Sequence, residues 1–168
     1  MTSLEREKQW LFTQTAEQLQ AAGFRIERQD ASRLWGGFFV IDESQAQQFA
    51  DTHFDALPVT QRLISGKLSS KILLAAPHQR LSWQYHHRRA EVWRVVRGPV
   101  GVATSPTDDQ REPITYHFGQ QINLPRGERH RLVSLDSWGI LAEIWQHTAA
   151  ARPSDEDDIV RVQDDFGR

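Results

Sequence analysis

Between Ser3 and Ala22 the apolar positions Leu4, Leu11, Phe12, Ala16, Leu19 and Ala22 recur close to helical spacing, and Gly23 stands where a left-handed C-cap would end the helix. This predicts an amphipathic helix over 3–22. A second helix is predicted at about 43–54, with Asp42 as cap, Gln45 three residues on as in a capping box, and Phe49 and Phe54 facing inward. From Lys71 onward the texture changes to brief runs rich in Val, Ile, Leu and Trp. Turn signals separate them at Pro77-His78, Gly98-Pro99, Ser105 to Asp109, Phe118-Gly119 and Pro125-Arg126-Gly127. Runs at such spacing predict an all-β sandwich or barrel. Residues 141–147 (LAEIWQH) read as a last long strand, and 153–168 as a charged tail with one apolar anchor, Ile159-Val160. No internal repeat or low-complexity segment interrupts this order.

Composition narrows the chemistry. The 168 residues suit one domain with a real core. A formal net charge of -2 offers no broad basic field, so neither nucleic acid nor an anionic membrane is an expected partner. No apolar run reaches the roughly 18 residues that span a bilayer, and MTSLEREKQW lacks the basic-then-apolar order of a signal peptide, so a cytoplasmic location is expected. The absence of Cys removes disulfides and thiolate chemistry together, leaving nitrogen and oxygen donors for any metal.

One stretch concentrates such donors: Trp83 to Trp93, WQYHHRRAEVW. Side chains two apart on a strand share a face, so Gln84 and His86 converge while Tyr85 and His87 point away. A turn at Arg88-Arg89-Ala90 would bring Glu91 back beside them, and His130 begins a strand after the Pro125-Arg126-Gly127 bend. Gln84, His86, Glu91 and His130 thus form a candidate site for one divalent metal with positions open to substrate. With a single anionic ligand the ion stays a stronger Lewis acid than two carboxylates would leave it. The residue-level alternative is a hydrogen-bonded polar core without metal.

Glu91, six residues and Gly98 resemble the end of the first cupin motif. Gly119, five residues, Pro125-Arg126-Gly127, two residues and His130 are similar to the second, with Ser134 where that motif usually ends in Asn. Gln84 to Trp93 resembles the metal-binding motif of type II phosphomannose isomerases, in which glutamine replaces the first cupin histidine. Arg33-Leu34-Trp35-Gly36-Gly37-Phe38 resembles that domain's Arg-Pro-Trp-Gly opening, with Leu34 in place of Pro. Lys71-Ile72, His130-Arg131-Leu132, Glu156 to Arg161 and Asp165 to Arg168 resemble further signatures. The resemblance covers residues 33–168.

It implies a mainly β cupin, a double-stranded β-helix or jelly-roll barrel, over 33–168, with an N-terminal helical extension over 1–32 packed on it. It implies a divalent metal, zinc first with iron, manganese or nickel as alternatives. The implied reaction is aldose–ketose isomerisation of a sugar phosphate such as mannose 6-phosphate, and a homodimer is expected. Lys71, Arg89, Arg131 and Arg161 are the cations inside matching motifs that could meet phosphate or hydroxyls. Trp35 is either a substrate contact or an aromatic plug in a turn. Glu143 and Arg161 are the catalytic candidates. Family members place a glutamate two residues before the glutamine of the last strand, but Ile144 holds that position before Gln146 and Glu143 lies one step earlier. One step reverses the face of a strand. A bulge would restore Glu143 to the interior; otherwise another group serves, or the reaction differs. The alternatives are a non-catalytic sugar-binding cupin and, further off, a metal-dependent oxygenase. His53, His78, His87 and His117 are expected at the surface or in packing, and Trp83, Trp93, Trp138 and Trp145 in barrel walls or a subunit interface.

Overall fold

The first helix forms where its apolar spacing predicts. In the computed structural model, which describes residues 1–55 and 67–168, α1 spans Ser3–Ala21. It opens on a capping box in which the Thr2 hydroxyl accepts the Glu5 N–H and the Glu5 carboxylate accepts the Thr2 N–H. It closes with Gly23 at φ +85° and the Phe24 N–H bonded to the Leu19 carbonyl. The second helical segment departs from expectation. Asp42 does cap, accepting the Ser44 N–H, but a 3-10 turn (Glu43–Gln45) precedes α2 (Ala46–His53). Gln45 makes no capping box, because its amide is drawn back to the Arg25 N–H and the Gly23 carbonyl, bracing the end of α1. Phe49 and Phe54 are buried as expected.

Two strands lie where the sequence pattern predicts none. β1 (Ile26–Asp30) pairs antiparallel with β2 (Gly36–Ile41), so the N-terminal extension adds an edge strand as well as a helix. The polar IERQD of β1 carries no strand alternation because it sits exposed at an edge. The remaining strands are β3 (Lys71–Ala75), β4 (Trp83–Tyr85), β5 (Arg89–Arg97), β6 (Val100–Ser105), β7 (Ile114–Tyr116), β8 (Gln121–Leu124), β9 (Arg129–Ser134), β10 (Gly139–His147) and β11 (Val160–Gln163). The turn signals from Pro77-His78 to Pro125-Arg126-Gly127 fall at or between strand ends. One sheet runs β1-β2-β3-β10-β5-β8 and faces a second running β11-β4-β9-β6-β7, with every pairing antiparallel.

The six-stranded sheet is buried on both sides. Its outer face gives Phe39, Ile41, Ile72, Leu74, Val92, Ala142 and Ile144 to a core shared with Leu11, Phe12 and Leu19 of α1 and Phe49 of α2. Its inner face gives Phe38, Leu73, Trp93, Val95 and Leu141 to a second core with Val100, Val102 and Leu132 of the opposite sheet. The helices therefore pack outside the barrel wall. Covering both faces makes β3 and β10 read as continuous apolar runs rather than alternating ones. None of the described helices is long and apolar enough to cross a membrane.

The start of β2 tests how closely this wall is built. Gly36 has φ +139°, and a Cβ there would come within 1.9 Å of the Leu74 carbonyl oxygen. Gly119 also has a positive φ, +81°, but a Cβ on it meets nothing within 4 Å. Gly36→Ala should therefore cost clearly more than Gly119→Ala, whose strain alone amounts to about 1–2 kcal/mol. Denaturant midpoints of the two variants measure the difference.

Candidate metal centre and its cavity

Strand parity decides which side chains enter the barrel. On β5, Arg89, Glu91 and Trp93 share the inner face; on β10, Leu141, Glu143 and Trp145 do. The β5–β10 ladder sets Glu143 opposite Trp93 and Trp145 opposite Glu91, and β3 sets Lys71 opposite Glu143. Register is unbroken from Leu141 to His147, so Glu143 faces inward with no bulge beside it. The anticipated turn at Arg88-Arg89-Ala90 lies earlier, because β5 already begins at Arg89 and the chain reverses over residues 86–88. From the second sheet, Gln84 on β4 stands directly across from His130 on β9.

His86, Glu91 and His130 bring one ligand atom each within 4.8 Å of one another, and all three are buried. The two imidazoles present lone pairs to this point. His86 Nδ1 lies 2.6 Å from the Asp158 carbonyl oxygen, and His130 Nδ1 lies 3.1 Å from that of Glu128. A carbonyl only accepts, so each Nδ1 carries a proton, and in the neutral ring Nε2 is the nitrogen that holds the lone pair. These bare nitrogens face a carboxylate, His86 Nε2 at 3.1 Å from Glu91 Oε1 and His130 Nε2 at 3.4 Å from Oε2. Burial holds His86 below its ordinary pKa against the opposing pull of Glu91, with Arg89 and His130 adding to the lowering, which favours the neutral ring. Burial opposes ionisation of Glu91, yet the carboxyl is held well below its usual range; with His86 neutral, the cation beside it is Arg89, whose Nε lies 2.9 Å from Oε1. Acceptors therefore converge on acceptors, and His130 Nε2 is buried without a hydrogen-bond partner among the described residues. The cluster could hold a metal ion, with both outer nitrogens fixed by backbone carbonyls as metal-bound histidines ordinarily are.

A cavity of about 300 Å³ opens beside this cluster, lined in part by Gln84, Arg89, Glu91, Glu143, Trp145 and Arg161. Glu143 is fixed by two indoles: Trp145 Nε1 donates to Oε1 and Trp93 Nε1 to Oε2, each at 2.9 Å. The Trp93 N–H also reaches Glu91 Oε2 at 3.1 Å, so one donor bridges the two carboxyl groups. Burial, reinforced by the nearby Glu91 charge, pushes the Glu143 carboxyl up to about 7.

The other anticipated residues divide. Trp35 lines the cavity, buried, with its indole nitrogen unpartnered among the described residues. Lys71 lines it too, paired with Glu156 at 2.7 Å and stacked over Trp145. Arg89 is engaged throughout: Nε donates to Glu91 at 2.9 Å, Nη1 to the Ser154 hydroxyl at 2.9 Å, and Nη2 meets His86 Nε2 at 3.2 Å, with the plane over Trp145. It braces the cluster with Nε and Nη1 committed, and it also lines the cavity. Arg131 does not reach the cavity. It lies one step from His130, hence on the opposite face, fully buried and bonded to the Leu81 carbonyl, Gln110 and Gln163. Arg161 lines the cavity and makes no ion pair among the described residues. Burial and the neighbouring Arg168 and Arg33 lower its pKa, a grouping of like charges suited to an anion. Gln84 lines the cavity with its carbonyl oxygen accepting from the Ser82 hydroxyl. Tyr85 and His87 pack on each other outside.

The roles of Trp93 and Trp145 as carboxyl donors were not anticipated. Each lies two residues beyond a buried glutamate on a strand, which is the signal that would have found them. The Asp158 contact to His86 bridges 72 positions and leaves no local trace.

Two facing sheets with a His-Glu-His cluster inside the barrel define the class: this is a cupin. Residues 52–164 match the family model described as mannose-6-phosphate isomerase C-terminal, and the chain belongs to that family. It is 34% identical over 105 residues to the alginate biosynthesis protein AlgA of Pseudomonas aeruginosa, covering 62% of this chain and 20% of that protein. It is 31% identical over 116 residues to the xanthan biosynthesis protein XanB of Xanthomonas campestris, covering 68% of this chain and 22% of that protein. The chain thus spans about a fifth of these relatives. Among solved structures, vicilin from hazelnut (Corylus avellana) superposes with a TM-score of 0.56 at 16% identity, over 83% of this chain and 36% of that one, a likeness of fold.

Two outcomes follow. Metal-stripped protein should take up one divalent ion per chain in equilibrium dialysis. His130→Ala should weaken uptake by more than the roughly 10- to 100-fold typical of a lost outer-sphere partner. In addition, a carboxyl raised from 4.5 to about 7 on folding binds its proton more tightly in the native state. Its contribution to stability is present below pH 4.5 and lost as pH rises toward 7. Melting of the stripped protein should show this decline, and Glu143→Gln should flatten it while lowering stability at all pH values, because the new amide turns a donor toward one indole N–H.

Proposed function

We propose that this chain is a metal-dependent aldose–ketose isomerase acting on a sugar phosphate, with mannose 6-phosphate and fructose 6-phosphate as the leading pair. The observation that carries the reading is Glu143: a carboxyl with a pKa of about 7, held by two indoles in the cavity that Glu91 also lines, with His86 and His130 against Glu91. A base poised near neutrality suits proton transfer between adjacent carbons. Membership of the mannose-6-phosphate isomerase C-terminal family supports the reaction, and the carbohydrate-linked names of the two relatives support the substrate class.

In this reading Gln84 joins His86, Glu91 and His130 around one divalent ion, zinc first. The ion would supply Lewis-acid stabilisation of the substrate oxygen that gains negative charge. Glu143 does the proton work. The C2 hydrogen of the aldose leaves as a proton to a Glu143 oxygen, and its electron pair forms the C1–C2 double bond while the carbonyl pair moves onto O1. Return of the proton from Glu143 to C1, as O2 passes its own proton to O1 and becomes the carbonyl oxygen, yields the ketose. Trp93 and Trp145 keep the carboxyl aimed and dry. Arg161, with Arg33 and Arg168 beside it at the cavity mouth, takes the phosphate, while Trp35 and Lys71 line the sugar.

Purified protein reloaded with zinc, iron, manganese or nickel should interconvert mannose 6-phosphate and fructose 6-phosphate, with deuterium from solvent entering at C2. Glu143→Gln should cut kcat by about 100- to 10,000-fold with little change in KM, and the wild-type rate should fall as pH drops below about 7. A metal-loaded enzyme inert toward mannose, glucose and pentose phosphates would end the isomerase reading. Binding without C2 exchange would favour a sugar-binding cupin instead.

A further inference from the structure

The segment between β10 and β11, residues 148–159, crosses the outside of the β4–β5 turn, and one residue in it ties down both backbone and ring. Asp158 is buried, 3% exposed. Its Oδ1 accepts the His87 N–H at 3.0 Å, and its Oδ2 accepts the Arg88 N–H at 2.9 Å and the Ser154 hydroxyl at 2.6 Å. Its own carbonyl oxygen accepts His86 Nδ1–H at 2.6 Å. Side chain and main chain of a single residue therefore grip consecutive positions of the turn that carries His86.

We infer that Asp158 is a positioning residue: by clamping the turn it sets its carbonyl against His86 Nδ1, which fixes the ring in the tautomer whose Nε2 lone pair faces Glu91. A free histidine side chain in water, its ring substituted beside Nδ1, prefers its proton on Nε2, so the contact works against the intrinsic preference of the ring. His130 needs no such strap, because its Nδ1 partner is the Glu128 carbonyl two residues away. Ser154 extends the clamp by also accepting from Arg89 Nη1, and Arg89 in turn reaches Glu91 and His86. The C-terminal strap is in this way part of the cluster's outer shell. Its consequence for metal affinity rests on the metal reading above; its consequence for the His86 tautomer does not.

The two are separated by measuring both. Long-range proton–nitrogen NMR of the metal-stripped wild type should show His86 as the Nδ1–H tautomer alone. Asp158→Ala should give a tautomer mixture and, with zinc as the probe, an affinity lower by about 10- to 100-fold. Asp158→Asn, which turns an amide toward one of the three donors, should fall between. A purely structural role would shift melting and leave the tautomer unchanged. Folded variants that keep the Nδ1–H tautomer and wild-type zinc affinity would overturn the inference. Should the variants not fold, hydrogen exchange on the wild type decides. Reciprocity requires zinc to slow exchange at the His87, Arg88 and Asp158 amides; zinc bound with those rates unchanged refutes the clamp. If zinc does not bind the wild type, the metal reading fails while the tautomer comparison still judges Asp158.

Discussion

A buried carboxylate facing two unprotonated ring nitrogens is the constraint around which this barrel is arranged. Glu91, His86 and His130 are each about 2% exposed, so water cannot relieve the crowding of their lone pairs. Among the described residues, only Arg89 and the Trp93 N–H offset it, and neither reaches His130 Nε2. Such a cluster is costly as a polar core and well suited to a cation. The two outer nitrogens being spent on backbone carbonyls removes the alternative in which neutral rings donate to Glu91 themselves.

The same constraint explains the neighbouring electrostatics. Burial raises the cost of a charge on Glu143 and the charge kept on Glu91 raises it further, so two carboxyls joined by one indole N–H are pushed apart, Glu91 well below the usual carboxylate range and Glu143 up to about 7. The cations of the cavity divide along similar lines. Lys71 and Arg89 are paired with Glu156 and Glu91, and Arg33 and Arg168 with Asp30 and Asp164, whereas the exposed Arg161 lines the cavity with no ion pair among the described residues. A ligand with its anionic group outward and its reacting carbons inward matches that gradient.

Much of the site was legible in the sequence because strands make faces predictable. Alternation alone paired Gln84 with His86 and turned Tyr85 and His87 away, and the Pro125-Arg126-Gly127 bend marked where His130 would enter. The same parity argument, applied to Arg131, would have placed it outside; its presence in a matching motif obscured that. Glu143 was ambiguous because counting back from Gln146 gives one face, while the covered outer wall of β10 makes both faces apolar and hides the alternation that would settle it. The edge strand β1 was missed for the opposite reason, having too little burial to carry a pattern. Arg89 and Asp158 gained their roles through contacts across the fold that no local spacing records.

X-ray absorption at the metal edge of zinc-loaded protein tests the central claim most directly. The account predicts a light-atom shell with outer-shell scattering from two imidazoles at nitrogen distances near 2.0–2.1 Å, together with carboxylate oxygen, and loss of one imidazole in His130→Ala. A spectrum without imidazole scattering, or one unchanged by that substitution, would contradict it.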